Sequence, residues 1–258
     1  MSEEKFYRII LYAWIGIALA VMAVLYFIAA PYGRHARKGW GVEIRSWVGW
    51  FLMEAPAPIG FTLFFFSGLF LPGRVPTTAA PYVFLGLWLT HYIHRSFIFP
   101  FRLRNRNRRM ALLTVAMAVL FNLVNGYING RWFAAFGPDY PGGWLADPRF
   151  TVGLALFVAG FVINIHSDTV LISLRAPGQT EYKIPRGGLF ELVSCPNYLG
   201  EIVEWCGWAL MTWSLPGLVF AVWTAANLAP RAWSNHIWMR RKFPEYPKAR
   251  RALIPFIY

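Results

Sequence analysis

The sequence predicts an all-α, polytopic membrane protein with seven transmembrane helices, an N-terminus outside and a C-terminus in the cytosol. Apolar residues make up 57% of the 258 positions and charged residues only 14%, whereas about 25% of residues are charged in ordinary soluble domains. Apolar runs long enough to span a membrane recur along the chain, and basic residues lie between them. This composition excludes a disordered chain, a collagen and a disulfide scaffold. It favours one integral-membrane domain over residues 1–258.

A spanning helix needs about 20 mostly apolar residues, and seven segments meet or approach that length. Proline favours helix starts, so Ser214-Leu215-Pro216 predicts a tight turn between the last two. The first run lacks a small-residue cleavage site and is therefore predicted to span rather than to be removed. In chain order the segments are Phe6–Ala30, Ser46–Leu71, Pro81–Phe101, Met110–Gly130, Arg149–Arg175, Tyr198–Trp213 and Pro216–Lys242.

The charge distribution fixes the predicted orientation. The net charge is +13, and most of the 25 Lys and Arg residues lie in positions 34–45, 102–109, 175–186 and 231–251. Seven spans place these segments on one side, which the positive-inside rule assigns to the cytosol. Topology thus explains the basic composition without nucleic acid, although an anionic cytosolic ligand stays open. The two cysteines, Cys195 and Cys206, follow neither a disulfide nor a metal-site pattern.

Glu54 is an ionisable residue in the middle of the second predicted span. Pro56 and Pro58 cannot donate to the carbonyls of Leu52 and Glu54, four residues earlier, so the helix is expected to be weakened there. Intramembrane charged groups suggest a functional site by default. Burial disfavours an ionised carboxyl, which leaves a neutral Glu54 able to donate a hydrogen bond. The alternative is a structural ion pair with Arg95.

The third predicted span carries the polar sequence His91-Tyr92-Ile93-His94-Arg95. His91 and His94 share one helix face, but no third ligand follows at a spacing typical of a metal site. Packing or hydrogen bonding is therefore predicted for both histidines, with no metal.

Polar stripes run along the last three predicted spans toward the cytosolic side. At 3.6 residues per turn, residues four or seven positions apart share a face. The alternative role of such stripes is hydrogen bonding between helices, but Asp, Glu and Arg together favour a large polar ligand. The stripes are Asn164, Asp168 and Arg175, then Asn197, Glu201 and Glu204, then Asn227, Arg231 and Asn235.

The arginines of positions 102–109, with Arg175 and Arg231, indicate that this ligand is anionic and carries phosphates. The chain contains neither a GxGxxG nor a GxxxxGK[ST] motif. A nucleotide would therefore bind between helices. The alternative explanation for the arginines of positions 102–109 is topology together with anionic lipid headgroups.

Seven blocks of sequence follow one another along the chain: Trp50–Glu54, His91–Arg95, Asn164–Asp168, Arg175–Gly178, Tyr182–Phe190, Asn197–Trp205 and Tyr246–Phe256. Together they resemble the steroid 5α-reductases (3-oxo-5α-steroid 4-dehydrogenases). The resemblance covers positions 50 to 258, most of the chain, and its blocks are specific in combination.

The resemblance implies a seven-helix membrane enzyme that uses NADPH to reduce the C4–C5 double bond of 3-oxo-Δ4 steroids, with the hydride going to C5. It implies that Glu54 and Tyr92 hydrogen-bond the C3 carbonyl oxygen and that Trp50 helps to bind the substrate. The sequence departs from the family pattern at Leu103, Asn235 and Met239, where relatives can have Asn, His and Tyr. The implied cofactor residues are Arg104, Arg106, Asn164, Asp168, Arg175, Tyr182, Lys183, Asn197, Glu201, Arg231 and Asn235.

The residue chemistry agrees with this implication, because hydride addition to an enone creates an enolate that hydrogen-bond donors stabilise. Alternatives are a reductase of another lipid alkene (polyprenol, enoyl-CoA or sterol), a methyltransferase that uses S-adenosylmethionine on prenylated cysteine, and a lipid transporter. The expected partners are a steroid or other lipophilic enone and membrane lipids, without nucleic acid or an obligate protein partner. The expected location is a bacterial inner membrane or the endoplasmic reticulum membrane, with the cofactor site facing the cytosol.

Overall fold

A computed structural model describes residues 1–30, 33–35, 39–104, 108–174, 176, 179 and 181–258. Within these residues the chain forms nine α-helices and a two-stranded antiparallel ribbon that the sequence did not predict. The helices are α1 (Glu3–Phe27), α2 (Ser46–Glu54), α3 (Pro56–Phe65), α4 (Ala79–Ile93), α5 (Phe99–Arg102), α6 (Leu112–Arg131), α7 (Pro148–Ser173), α8 (Pro196–Thr212) and α9 (Leu215–Lys242), and the strands are β1 (Glu43–Arg45) and β2 (Arg109–Ala111).

Four helical stretches of the described chain are long and apolar enough to cross a membrane: Glu3–Phe27, Ser46–Phe65, Leu112–Phe136 and Pro148–Ser173. The chain is therefore a helical membrane protein. The third predicted span corresponds to α4, a π-helical turn at His94–Ile98 and α5, which follow one another without a gap. Seven spans and the orientation of the termini stay predictions.

The second predicted span is broken where the prolines suggested. α2 ends at Glu54, Ala55 retains right-handed helical torsions (φ −57°, ψ −32°), and Pro56 begins α3. The predicted end at Leu71 is wrong, because α3 stops at Phe65 and a 3-10 turn follows at Ser67–Leu69.

The chain divides into two compact units. Unit 1 comprises Met1–Leu11 and Pro31–Thr151, and unit 2 comprises Tyr12–Ala30 and Val152–Tyr258. A single domain over the whole chain stays a prediction.

Glycines bring α3 and α6 into backbone contact in unit 1. A Cβ atom added at Gly126 would lie 3.0 Å from the backbone nitrogen of Phe61, and one at Gly130 would lie 2.8 Å from the Phe61 carbonyl oxygen. Gly126 and Gly130 form a Gly-x-x-x-Gly pattern, which lets membrane helices approach closely. The α3–α6 contact is therefore set by residues that lack side chains.

A half-buried ion pair joins the buried Arg131 at the end of α6 to the partly exposed Glu3 at the start of α1 in unit 1. Arg131 is 1% exposed, and its Nε and Nη2 atoms donate to the Glu3 carboxylate at 2.7 and 2.6 Å. Its guanidinium also donates to Ser67 Oγ at 2.8 Å and to the Pro72 carbonyl at 2.9 Å. Such a pair is tolerated because hydrogen bonds replace the lost hydration.

A second set of glycines joins α7 to α8 in unit 2. A Cβ atom at Gly200 would lie 2.7 Å from both the Asn164 nitrogen and the Gly160 carbonyl oxygen. Two helical turns further along α8, a Cβ atom at Gly207 would lie 2.5 Å from both the Gly153 carbonyl oxygen and the Phe157 nitrogen. The heptad spacing of glycines on both helices keeps their backbones close at the level of Asn164.

The predicted turn between the last two spans is confirmed. Trp213 adopts a left-handed conformation (φ 44°) just after α8. Ser214 Oγ then accepts a hydrogen bond of 3.1 Å from the Gly217 nitrogen and so caps α9.

Candidate active site

Glu54 and Tyr92 both lie in unit 1, among apolar helices. Glu54 is the half-buried last residue of α2. Tyr92 lies near the end of α4 and is 3% exposed. Its ring centroid is 5.0 Å from that of Trp88 and 4.9 Å from that of His91. The expected packing role of His91 is consistent with this contact.

Trp50 and Arg95 form an aromatic and cationic cluster with Phe99. The rings of Trp50 and Phe99 meet edge to face at 5.2 Å. Arg95 Cζ lies 5.1 Å from the Trp50 ring centroid and 4.9 Å from that of Phe99, so the aromatic faces stabilise its charge. Arg95 belongs to the π-helical turn, a feature frequent at functional sites. The alternative pairing of Glu54 with Arg95 stays a prediction.

Two side chains that the sequence interpretation missed donate to backbone carbonyls beside Glu54. Asn122 Nδ2 donates to the Met53 carbonyl at 2.6 Å, and Trp88 Nε1 donates to the Ala57 carbonyl at 3.3 Å. A signal for Asn122 was present, because it lies four residues before Gly126 on the face of α6 that meets α3.

Unit 2 brings four of the predicted cofactor residues together between α7 and α8. Asn164 Nδ2 donates to the Asn197 carbonyl at 2.9 Å and to Glu201 Oε2 at 3.4 Å. Asn197 Nδ2 donates to Asp168 Oδ1 at 3.0 Å. The stripes on α7 and α8 therefore meet, as the shared helix faces suggested.

Asn164 offers a specific place for a ligand. Its side chain is 1% exposed, and within the described chain its buried Oδ1 atom has no hydrogen-bond partner. A buried acceptor without a donor is costly, so a ligand N–H or O–H would relieve that cost. Together with the Asp168 and Glu201 carboxylates, this set fits the hydroxyl and amide groups of a nucleotide cofactor.

Arg231 and Asn235 on α9 contact the region where α8 begins. Arg231 Nη2 donates to the Tyr198 hydroxyl at 3.0 Å, and its Cζ lies 5.1 Å from the Tyr198 ring centroid. Arg231 Nη1 also donates to Asn227 Oδ1 at 3.3 Å. Asn235 Nδ2 lies 3.7 Å from Cys195 Sγ. The third stripe thus packs partly against the entry of α8.

Three of the remaining predicted cofactor residues, Arg104, Tyr182 and Lys183, lie in loops. The half-buried Tyr182 ring meets Trp238 at 4.8 Å, whereas Lys183 is exposed. Arg104 is exposed at the end of the segment that follows α5. Arg106 and Arg175 lie outside the described residues.

The C-terminal segment packs against the loop before α8, which the sequence interpretation also missed. Ser194 Oγ lies 2.6 Å from His236 Nδ1 and 2.7 Å from the Tyr246 hydroxyl. The Ser194 nitrogen donates to the Arg251 carbonyl at 2.8 Å. The segment around Tyr246 therefore helps to hold the loop from which Asn197 follows.

Polar side chains buried between apolar helices, among them a buried amide oxygen without a donor in the described residues, define a helical membrane protein with a polar cluster in its interior. A family model described as 3-oxo-5-alpha-steroid 4-dehydrogenase matches residues 108–258. The chain belongs to this family, as the resemblance predicted.

Relatives similar over their full length support the assignment. The chain is 44% identical over 261 residues to "Steroid 5-alpha-reductase DET2" of Gossypium hirsutum, covering 100% of this chain and 99% of that relative. It is 40% identical over 258 residues to "3-oxo-5-alpha-steroid 4-dehydrogenase 1" of Homo sapiens, covering 100% and 98%. The corresponding protein of Macaca fascicularis is also 40% identical, with 100% and 96% covered.

Proposed function

We propose that the chain is an NADPH-dependent steroid 5α-reductase that reduces the C4–C5 double bond of 3-oxo-Δ4 steroids. The observation that carries the proposal is the position of Glu54 in a chain of this family. It ends α2 at a proline-flanked break within the apolar stretch Ser46–Phe65. A carboxyl placed there serves a lipophilic substrate better than a water-soluble one.

In this proposal Glu54 and Tyr92 act on the substrate's C3 carbonyl oxygen. Reduction at C5 moves negative charge onto that oxygen, and the enolate then takes a proton at C4. A neutral Glu54 and the Tyr92 hydroxyl each donate a hydrogen bond to the oxygen as the charge develops. Donors of this kind in a dry site lower the barrier by about 3–4 kcal/mol each.

The residues of unit 2 hold the cofactor in this proposal. When bound, NADPH supplies the hydride that adds to C5. In this proposal Asn164 Oδ1 accepts a hydrogen bond from the bound cofactor. The Asp168 and Glu201 carboxylates accept hydrogen bonds from hydroxyl groups of the cofactor. Arg231, with the loop arginines, neutralises phosphates.

The surrounding helices account for a lipid substrate. The second span exposes apolar side chains such as Leu52 and Ile59, which suit the hydrocarbon of a membrane. We propose that Trp50 lies beside the bound steroid. We also propose that the cofactor-binding residues lie on the cytosolic side of a protein with seven spans. An apolar pocket discriminates weakly between similar lipids, so several 3-oxo-Δ4 steroids are expected to react.

The test uses detergent-purified protein with testosterone or progesterone, with NADPH or NADH, and identifies products by mass spectrometry. We expect a gain of two hydrogens at C4–C5 with NADPH, and a kcat about 100-fold lower but still measurable in Glu54→Gln, because an amide N–H is a weaker donor to the oxyanion than a carboxyl O–H. The control is Glu4→Gln, because Glu4 is an exposed carboxyl of α1 that pairs with Arg8. If the protein reduces only another lipid alkene, the proposed substrate class is wrong but the reductase proposal stands. If the protein does not bind NADPH, the reductase proposal is overturned.

A further inference from the structure

The backbone beside Glu54 lacks part of its helical hydrogen-bond ladder. Pro56 and Pro58 have no N–H, so the carbonyls of Leu52 and Glu54 lose their donors four residues ahead. Ala55 nevertheless retains helical torsions. Groups outside α2 and α3 must therefore help to hold this segment in one conformation.

Asn122 supplies such a restraint from α6. Its Nδ2 atom lies 2.6 Å from the Met53 carbonyl oxygen, and its side chain is 4% exposed. The Met53 carbonyl and the Glu54 nitrogen belong to one planar peptide group. A bond that fixes this carbonyl therefore fixes the plane from which the Glu54 side chain departs.

The short Asn122 side chain can reach the Met53 carbonyl because α6 approaches α3 at glycines. Asn122, Gly126 and Gly130 follow one another at four-residue spacing on one side of α6. A Cβ atom at Gly126 would lie 3.2 Å from the Gly60 carbonyl carbon. The Gly-x-x-x-Gly contact thus sets the distance over which Asn122 acts.

Trp88 restrains the same segment from α4. Its Nε1 atom donates to the Ala57 carbonyl at 3.3 Å. Its ring lies 4.5 Å from Phe61 and 5.0 Å from Tyr92, centroid to centroid. One fully buried side chain therefore contacts Tyr92 and the backbone that follows Glu54.

We propose that Asn122 and Trp88 are positioning residues, which hold Glu54 and Tyr92 through the backbone of the α2–α3 break. The proposal rests on the function proposed above for Glu54 and Tyr92. Neither residue needs to touch the substrate. Their effect on the reaction must therefore pass through Glu54 or Tyr92, which distinguishes positioning from ordinary packing between helices.

The first test is a double-mutant cycle between Asn122→Leu and Glu54→Gln, since leucine has the branched shape of asparagine but cannot donate. We expect Asn122→Leu to lower kcat about ten-fold and to leave NADPH affinity within about two-fold. When Asn122→Leu is added to Glu54→Gln, kcat should fall by a further factor of less than about two, because the effects of the two substitutions are coupled. Equal losses in both backgrounds would overturn the proposal.

Asn129→Leu is the matched control. Asn129 is a buried asparagine of the same helix, and its Nδ2 atom donates to the Asn125 carbonyl and to Asn125 Oδ1. We expect its kcat to stay within about three-fold of wild type, since Asn122 still donates to the Met53 carbonyl beside Glu54 in this variant. A loss equal to that of Asn122→Leu would identify general destabilisation of α6 and overturn the proposal.

A second measurement reads the restraint without activity. Amide hydrogen exchange of the 53–60 segment, followed by mass spectrometry, should be faster in Asn122→Leu and in Trp88→Phe than in Asn129→Leu. Trp88→Phe keeps the aromatic contacts and removes the N–H. Unchanged exchange in both variants contradicts the positioning proposal. If exchange is faster in the two variants but the wild-type protein does not reduce the steroid, the result would contradict the proposed function alone.

Discussion

Unit 1 and unit 2 both place polar groups between helices that approach at glycines, but they restrain those groups differently. In unit 1, Asn122 donates to a backbone carbonyl next to Glu54. In unit 2, Asn164 and Asn197 bond to one another and to acidic side chains. A restraint on the backbone favours one fixed direction for a reacting group. In a network of side chains, several groups contribute to ligand binding. Loss of one of them should therefore change NADPH affinity rather than kcat.

The largest expected effect tests the rate side of this comparison. Tyr92→Phe should lower kcat about 100-fold, because one donor to the developing oxyanion is lost, while NADPH affinity stays within about two-fold. Steady-state kinetics and an NADPH fluorescence titration check both quantities. The control is Tyr82→Phe on the same helix, since the Tyr82 hydroxyl donates to the Pro76 carbonyl at the other end of α4. Full activity in Tyr92→Phe would remove Tyr92 from the mechanism.

The next effect concerns the glycine contacts. A Cβ atom at Gly160 would collide with the backbone of Glu204 and Gly200, whereas one at Gly126 would lie 3.0 Å from the Phe61 nitrogen. Gly160→Ala should therefore destabilise the protein by about 2 kcal/mol and Gly126→Ala by about 1 kcal/mol. Chemical denaturation in detergent measures the difference. Gly16→Ala on α1 is the control, because nothing lies within 4 Å of its added Cβ atom. Equal stability of all three variants contradicts the close approach.

The affinity side of the comparison is tested in unit 2. Asn197→Ala removes the donor to Asp168 Oδ1 and keeps the carbonyl that accepts from Asn164. NADPH should bind about ten-fold more weakly, which corresponds to one lost charge-assisted hydrogen bond. The value of kcat at saturating NADPH should stay within about three-fold of wild type. Unchanged NADPH affinity, measured by fluorescence titration, would count against a cofactor role for this cluster.

The smallest expected effect concerns helix capping. Ser214→Ala should lower stability by about 1 kcal/mol, because Ser214 Oγ accepts from the Gly217 nitrogen at the start of α9. Thr78 occupies the same position before α4, but its side chain makes no capping hydrogen bond. Thr78→Ala should therefore leave stability within about 0.5 kcal/mol of wild type. Denaturation midpoints of the two variants provide the measurement, and equal losses would contradict the assigned cap.

Local sequence patterns predicted the features that depend on neighbours along the chain. Pro216 marked the turn before α9, Pro56 and Pro58 marked the break after Glu54, and four-residue spacing placed Asn164 and Asp168 on one face. These follow from missing N–H groups and from helix period, which a single segment determines.

Features that depend on distant segments were not predictable in this way. The ribbon of β1 and β2, the bond from Asn122 to Met53 and the contact of Ser194 with Tyr246 each need two separate parts of the chain. A lone buried asparagine indicates that a partner exists but not which carbonyl it meets. Trp88 carried no polar signal, because its N–H is hidden in an otherwise apolar residue.

The ion pair between Glu3 and Arg131 has a consequence for biosynthesis. Its partners are 128 residues apart in sequence. A ribosome adding 5–20 residues per second makes Arg131 on the order of 10 s after Glu3. During that interval the first helix carries a carboxylate whose final counter-charge does not yet exist. Insertion of α6 therefore supplies the partner of Glu3, and deletion of the first helical turn of α1 would leave Arg131 as a buried cation without its carboxylate in every finished molecule.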